Sequence, residues 1–388
     1  MEIIYLEKLI KSFNQVAFQI SHLDRRIFMA WSPQEWILKV SQVRELLEKE
    51  QLQGVLITKG VNFTWLTGGR PYVNFLAEGA CAQIWIDSKK TILISNNIEA
   101  QRLVEEELGQ ISLEVISLPW WEGQPPSEIA DKLSEGKSWK TDDQISSFPS
   151  LRWTLNPYEI DRYRKLGRDG ALLLETIAAQ IEPGLSEIEI ARMIRSEGLN
   201  LSIEAPVTLV ATDERAFLRR HPLPTEKKLD KLAMLVISGL RDGLFLSLTR
   251  MVHFGEPTEE VITKHQAILQ VEAEMLAATQ VGITAEELFE ITKKAYSQVG
   301  YEDQWQFHHQ GGLAGYQSRE YRIQPGNKNV FAANQAFAWN PTIGGVKSED
   351  TVLLGSNGLE ILSGSQKFPT IEVSTQGKSF LRPALWIR

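Results

Sequence analysis

Thirteen consecutive residues, His308-His309-Gln310-Gly311-Gly312-Leu313-Ala314-Gly315-Tyr316-Gln317-Ser318-Arg319-Glu320, gather two imidazoles, three glycines, a guanidinium and a carboxylate. Glycine at that density lets backbone approach a ligand closely or take positive φ, which other residues resist. The side chains among the glycines can donate, accept or carry protons near neutral pH. The chemistry they suggest is acid–base work beside a recognised anion. The competing reading is a glycine-rich hairpin with polar residues on its surface.

Such a stretch needs a scaffold, and the chain is large enough to build one. At 388 residues it exceeds the size at which a single core usually keeps growing, so two domains are expected. Its 43% apolar and 23% charged residues are ordinary for a globular protein. A formal charge of -8 argues against a duplex nucleic-acid partner, which would want a basic face. Cys81 is the one cysteine, so neither an intrachain disulfide nor a thiolate-rich metal site can form, which fits a reducing compartment. The first residues, Met1 to Lys8, carry no basic segment followed by an apolar run, so no signal peptide is expected. No window approaches the ~20 apolar residues that span a bilayer. A cytoplasmic location without membrane contact is the expectation.

Residues 34 to 50 place Trp36, Ile37, Val40, Val43, Leu46 and Leu47 at helical spacing. Gly54 to Thr58 reads as a buried strand, and runs at 82–87 and 91–95 flank Ser88-Lys89-Lys90 as a hairpin. A helix near 99–108 and a strand near 113–116 complete a small α/β domain. Six tryptophans between Trp31 and Trp121 suit core or subunit-interface packing better than a ligand cage. The polar stretch 134–150 has no clear period, and the domain boundary is placed there, giving domains 1–150 and 151–388.

The second domain opens with Asn156 as N-cap, Pro157 at the first helical position and Glu159 completing a capping box. Ile160, Tyr163, Leu166, Gly170, Leu174, Ile177 and Ile181 mark one face of a long helix. Pro183-Gly184-Leu185-Ser186-Glu187-Ile188-Glu189 and Val281-Gly282-Ile283-Thr284-Ala285-Glu286-Glu287 then repeat one pattern: glycine, aliphatic residue, hydroxyl cap, glutamate. Helical stretches precede both, and strand-like runs follow at 207–210, 235–237, 336–339 and 351–354. An internal duplication is expected, with two α+β halves facing each other across a cleft.

Six segments in order carry a resemblance over residues 30 to 365. They are Asn62-Phe63-Thr64-Trp65-Leu66-Thr67-Gly68, Ile181 to Glu187, Arg220-His221-Pro222-Leu223-Pro224, Ser247-Leu248-Thr249-Arg250, the His308-to-Glu320 stretch, and Glu349-Asp350-Thr351-Val352. The chain resembles the creatinase, aminopeptidase P and prolidase (Xaa-Pro dipeptidase) family. The resemblance implies an α+β pita-bread C-terminal domain with a pseudo-two-fold repeat, an α/β creatinase-type N-terminal domain, and a homodimer. Peptidases of that family hold two divalent ions (Mn, Co or Zn) on two Asp, one His and two Glu. Matched position by position, those ligands fall here on Val236, Ser247, Gly312, Asn340 and Glu349. Only the last is a metal ligand, and a second motif histidine falls on Arg319, a permanent cation. One carboxylate cannot offset four positive charges or fill two shells, and Asp242 is a poor substitute. No metal cofactor is therefore expected.

Creatinase resembles these peptidases but works without metal, through a histidine whose counterpart here is His221. Its imidazole can protonate a leaving nitrogen or activate water. The resemblance and residue types make His221, Glu320 and Glu349 the candidate catalytic residues. Arg250, His308, His309, Tyr316, Arg319 and Asn340 are the candidate substrate-binding residues. Each has a plainer role open to it: His221 in a surface loop, Arg250 holding a carboxylate, Asn340 satisfying backbone, one of the paired histidines purely structural. Three functions stay open. The first is a metal-independent hydrolase of a C–N bond in a small anionic peptide or amidine-type substrate. The second is a non-catalytic peptide- or metabolite-binding pseudopeptidase, and the third a metal-dependent Xaa-Pro dipeptidase with unusual ligands.

Overall fold

The helix Pro157–Gln180 starts at the expected cap: Asn156 accepts from the Glu159 amide and Glu159 accepts from the Asn156 amide. The computed structural model describes residues 31–109 and 111–388, so the segment Met1 to Lys8 lies outside the described residues. Tyr163, Leu166, Gly170, Leu174, Ile177 and Ile181 of its expected face are buried, and Ile160 is half-buried. Gly170 is dictated by packing, since a Cβ there would lie 2.1 Å from Leu246 Cδ2.

The duplication is visible in local geometry. Gly184 and Gly282 both take positive φ, 97° and 95°. The capping boxes of Ser186 with Glu189 and Thr284 with Glu287 then open the helices Glu187–Asn200 and Ala285–Gln298. Both caps make an isolated bridge, Ser186 to Lys228 and Thr284 to Val330.

Each half contributes a sheet. The first runs Trp386–Ile387, Leu244–His253, Leu232–Arg241, Glu204–Thr212; the second runs Tyr321–Arg322, Gly311–Ala314, Gln335–Trp339, Asp350–Gly355, Gly358–Ile361. Leu244–His253 is a strand beyond those expected from the sequence. The sheets meet where the Thr249 amide donates to the Glu349 carbonyl at 3.0 Å and the Ser247 amide to Thr351 Oγ1 at 2.9 Å. Buried aliphatic residues of Pro157–Gln180 and Glu259–Ala278 pack with the strands, giving the pita-bread architecture.

In the N-terminal part, the helix Pro33–Lys49 packs on a five-stranded sheet ordered Glu114–Leu118, Thr91–Asn96, Gly79–Asp87, Gly54–Lys59, Trp139–Thr141. The expected hairpin is present, turned by Asp87, whose carboxylate accepts from the Lys89 and Lys90 amides. The expected helix near 99–108 becomes a single α turn, Ala100–Arg102, followed by a π-helical segment, Leu103–Glu107. The polar stretch after 134 is less irregular than its composition suggests, because Trp139–Thr141 pairs parallel with Gly54–Lys59. Among the described residues no helix is long and apolar enough to cross a membrane.

Candidate functional site

Strand alternation decides what faces the cleft. Ser247 and Thr249 share a face of Leu244–His253, and Thr249 Oγ1 donates to Glu349 Oε2 at 2.8 Å. That carboxylate also receives Lys347 Nζ at 2.9 Å on Oε2 and Arg319 Nη2 at 3.4 Å on Oε1. Arg319 reaches across to Ser247 Oγ at 3.2 Å, and Ser247 Oγ lies 3.0 Å from Ser238 Oγ. Burial would raise the pKa of Glu349, but Lys347 and Arg319 outweigh it and hold the carboxyl below its ordinary value. Arg319, itself buried, is lowered by desolvation and partly restored by Glu349.

Three imidazoles stand beside this cluster. His308 Nε2 lies 3.0 Å from His221 Nε2, and the His308 and His309 rings stack with centroids 4.5 Å apart. Desolvation is the main reason that His308 is pushed down to about 2 and His309 to about 3. Lys347 adds to both shifts, and Arg319 and Arg322 add to that of His309. His221 is exposed to solvent and shifts downward for the same reasons, with Glu349 opposing. All three rings are therefore neutral at pH 7. Asn340 follows the strand Gln335–Trp339; its amide donates to the Gln310 carbonyl at 3.2 Å, and its buried Oδ1 has no partner among the described residues.

The structure thus brings together His221, His308, His309, Arg319, Glu349 and, through the Gln310 backbone, Asn340. It sets three other candidates elsewhere. Arg250 follows Thr249 and so points to the opposite face, where it is fully buried and bonded to the Ser363 carbonyl at 2.7 Å and Asp350 Oδ1 at 3.2 Å. Tyr316 donates to Glu159 at 2.8 Å and meets Lys39 at 3.1 Å, at the junction with the N-terminal helix. Glu320 is held at both oxygens by Arg152, at 2.6 and 3.2 Å, and Arg152 also bonds Asn62. Arg152, Asn62 and Tyr316 line a separate cavity of about 950 Å³ between the N-terminal sheet and the first C-terminal half.

The glycines have a different role from the one their density suggests. A Cβ at Gly312 would lie 1.9 Å from the Tyr321 carbonyl, and one at Gly311, where φ is +112°, 2.1 Å from that of Ala338. They are there so that three strands can close on one another. Lys347 was not among the candidates, although it sits two residues before Glu349, a spacing that puts both on one face of an extended segment.

The sequence profile of metallopeptidase family M24 matches residues 161–356. The Xaa-Pro dipeptidase of Pyrococcus horikoshii is 23% identical over 347 residues, covering 85% of this chain and 97% of that one. Among solved structures, the Xaa-Pro dipeptidase from Bacillus anthracis superposes with a TM-score of 0.73 at 18% identity, covering 91% of this chain and all of the other. The prolidase from Pyrococcus horikoshii OT3 gives 0.70 at 21% identity, covering 85% and 99%. Family profile, repeat and fold agree: this chain belongs to metallopeptidase family M24.

Proposed function

We propose that this protein hydrolyses a C–N bond in a small anionic peptide or amidine-type substrate, without paired divalent ions, with His221 as the acid/base. The observation that carries this reading is the capture of Glu349 by Lys347 and Arg319. Two divalent ions need bridging carboxylates. The family's ligand positions offer one here, already bonded to two cations and a hydroxyl. Arg319 and Lys347 against Glu349 leave one more cation than anion before any ion enters. Gly312 has no room even for a Cβ. The residues present do not fit the paired-ion centre.

The same surplus of positive charge suits an anionic substrate. Arg319 Nε is buried without a partner among the described residues, and the guanidinium would have to turn toward the cleft for it to take a carboxylate oxygen. His221, neutral and open to solvent, can accept a proton from attacking water and return it to the leaving nitrogen. In the tautomer where its Nε2–H donates to His308 Nε2, its Nδ1 is the free base, and the stacked, buried His308 fixes the ring. Arg319 and Lys347 are placed to offset negative charge developing in the transition state. A homodimer working in the cytoplasm is part of this proposal; exposed Trp120 and Trp121 offer apolar surface for an interface, and Cys81 alone suits a reducing compartment.

The test is turnover of a panel of Xaa-Pro dipeptides, amides and amidines by exhaustively chelated protein. Activity should survive chelation and fall about 10²–10⁴-fold in His221→Ala. Activity that appears only when manganese, cobalt or zinc is added would overturn the reading. A substrate that binds but never turns over would favour the pseudopeptidase alternative, to which the capture of both Glu349 and Glu320 by cations lends weight.

A further inference from the structure

We infer that His221, His308 and His309 form a site for one transition-metal ion of the zinc, nickel or copper class, apart from the family's paired-ion position. One ligand nitrogen from each ring lies within 4.8 Å of the others. Tetrahedral coordination with metal–nitrogen bonds of ~2.0–2.1 Å sets nitrogens about 3.3 Å apart. The His221 and His308 nitrogens already stand at 3.0 Å. Because the His309 ring is stacked on that of His308, closing the trio needs His309 to swing out of the stack and the exposed His221 to turn with it.

A second observation points to a ligand. The buried Nδ1 of His309 has no hydrogen-bond partner among the described residues and is free to take an ion. The Nδ1 of His308 is also unpaired among them, but it is a different nitrogen from the Nε2 that meets His221 and would not face the same ion. Buried polar atoms are normally paired, and an unpaired one calls for an explanation. His253 behaves as a structural histidine should: it is buried, and its Nδ1 lies 3.0 Å from the Gly255 carbonyl. The donor set of the trio consists of imidazoles alone, which suits zinc, nickel and copper and disfavours magnesium, calcium and manganese. Three neutral imidazoles give up no proton when they coordinate, and solvent can fill the open position on the exposed side of His221.

The local field works against this site without forbidding it. Lys347, Arg319 and Arg322 face the rings, with Glu349 opposing them. Affinity is therefore weaker than for three histidines in a neutral pocket, and removing the exposed Arg322 strengthens it. Coordination ties up His221, so the bound ion inhibits turnover; that consequence rests on the proposed role of His221, whereas binding itself does not.

The experiment titrates the chelator-stripped full chain with zinc by calorimetry and with cobalt(II) by visible absorption. One equivalent should bind. His309→Ala and His221→Ala should each weaken binding at least about tenfold, with far-UV circular dichroism checking the fold of each variant. Because His221 is exposed, its variant keeps the test decisive if His309→Ala misfolds. Arg322→Gln should tighten binding by about threefold to tenfold. No binding, binding unchanged in both histidine variants, or binding abolished by Glu349→Gln but retained by both would overturn the site. A zinc ion that binds through the trio but raises turnover would leave the site standing and overturn the metal-free mechanism. Chelator-resistant turnover that needs His221 in a protein that takes up no zinc would do the reverse.

Discussion

Lys347 Nζ and Glu349 Oε2 lie 2.9 Å apart with both side chains about 4% exposed, two residues from one another in an extended segment. This pair, with Arg319 on the other oxygen, decides the charge of the cleft. Lys347→Met should leave a buried carboxylate with Arg319, at 3.4 Å, as its one remaining cation, destabilising the fold by up to about 3–5 kcal/mol. Lys347 is the leading cause of the lowered pKa of Glu349, so the variant should also move that carboxyl upward. The sign follows from linkage: a depressed carboxyl contributes stability above its unfolded pKa and loses it as pH falls through the folded value. Urea denaturation at pH 7 and pH 4 should show the wild-type advantage shrinking on acidification. An equal advantage at both pH values would mean that the pair is not electrostatic.

Gly312→His tests whether the family's histidine can be put back. The new Cβ would meet the Tyr321 carbonyl at 1.9 Å, so the strand Tyr321–Arg322 must move before the imidazole is placed. Overpacking of this kind costs about 1–3 kcal/mol and sometimes more. The expected result is a lowered melting temperature and no gain of ions by elemental analysis. A variant as stable as wild type that takes up two ions would contradict the reading of the site.

Arg152 and Glu320 join the two parts of the molecule through a pair that is 2% and 1% exposed. Removing either partner should cost about 3–5 kcal/mol, whereas the double variant Arg152→Met with Glu320→Gln should recover part of it. A double-mutant cycle should give a coupling of about 0.5–3 kcal/mol. If Glu320→Gln instead abolished turnover at unchanged stability, Glu320 would be catalytic, as its sequence position first suggests.

What the sequence disclosed and what it hid follow one physical line. Caps, glycine stops and apolar periods are local signals, so Asn156, Ser186, Thr284 and the paired halves are legible directly. Side-chain direction along a strand is also local, but it decides nothing until Leu244–His253 is known to be a strand; once Thr249 faces Glu349, Arg250 must face away. The spacing of Lys347 to Glu349 carries the same kind of signal. The partner of Glu320 has no such signal, because Arg152 is 168 residues away and arrives only through the packing of the N-terminal part. The glycines of 311 and 312 are legible as a demand for closeness, but not as closeness to neighbouring strands rather than to a ligand.

His265 offers a pH dependence away from the cleft. It is buried in Glu259–Ala278, and burial pushes its pKa down to about 4 from an ordinary 6.5. The folded state keeps this ring neutral while the unfolded chain takes up a proton as pH falls below about 6.5. The stability that neutral His265 contributes is thus complete at pH 7 and is lost progressively between pH 6.5 and about 4. At 1.36 kcal/mol per unit, the loss from pH 6.5 to pH 5 is about 2 kcal/mol. His265→Leu removes the titrating group but keeps an apolar side chain in the site. Chemical denaturation of wild type and variant at pH 7 and pH 5 should therefore show a fall that is about 2 kcal/mol smaller in the variant. Equal falls would mean that the His265 ring reaches water, or accepts its proton without opening the helix packing.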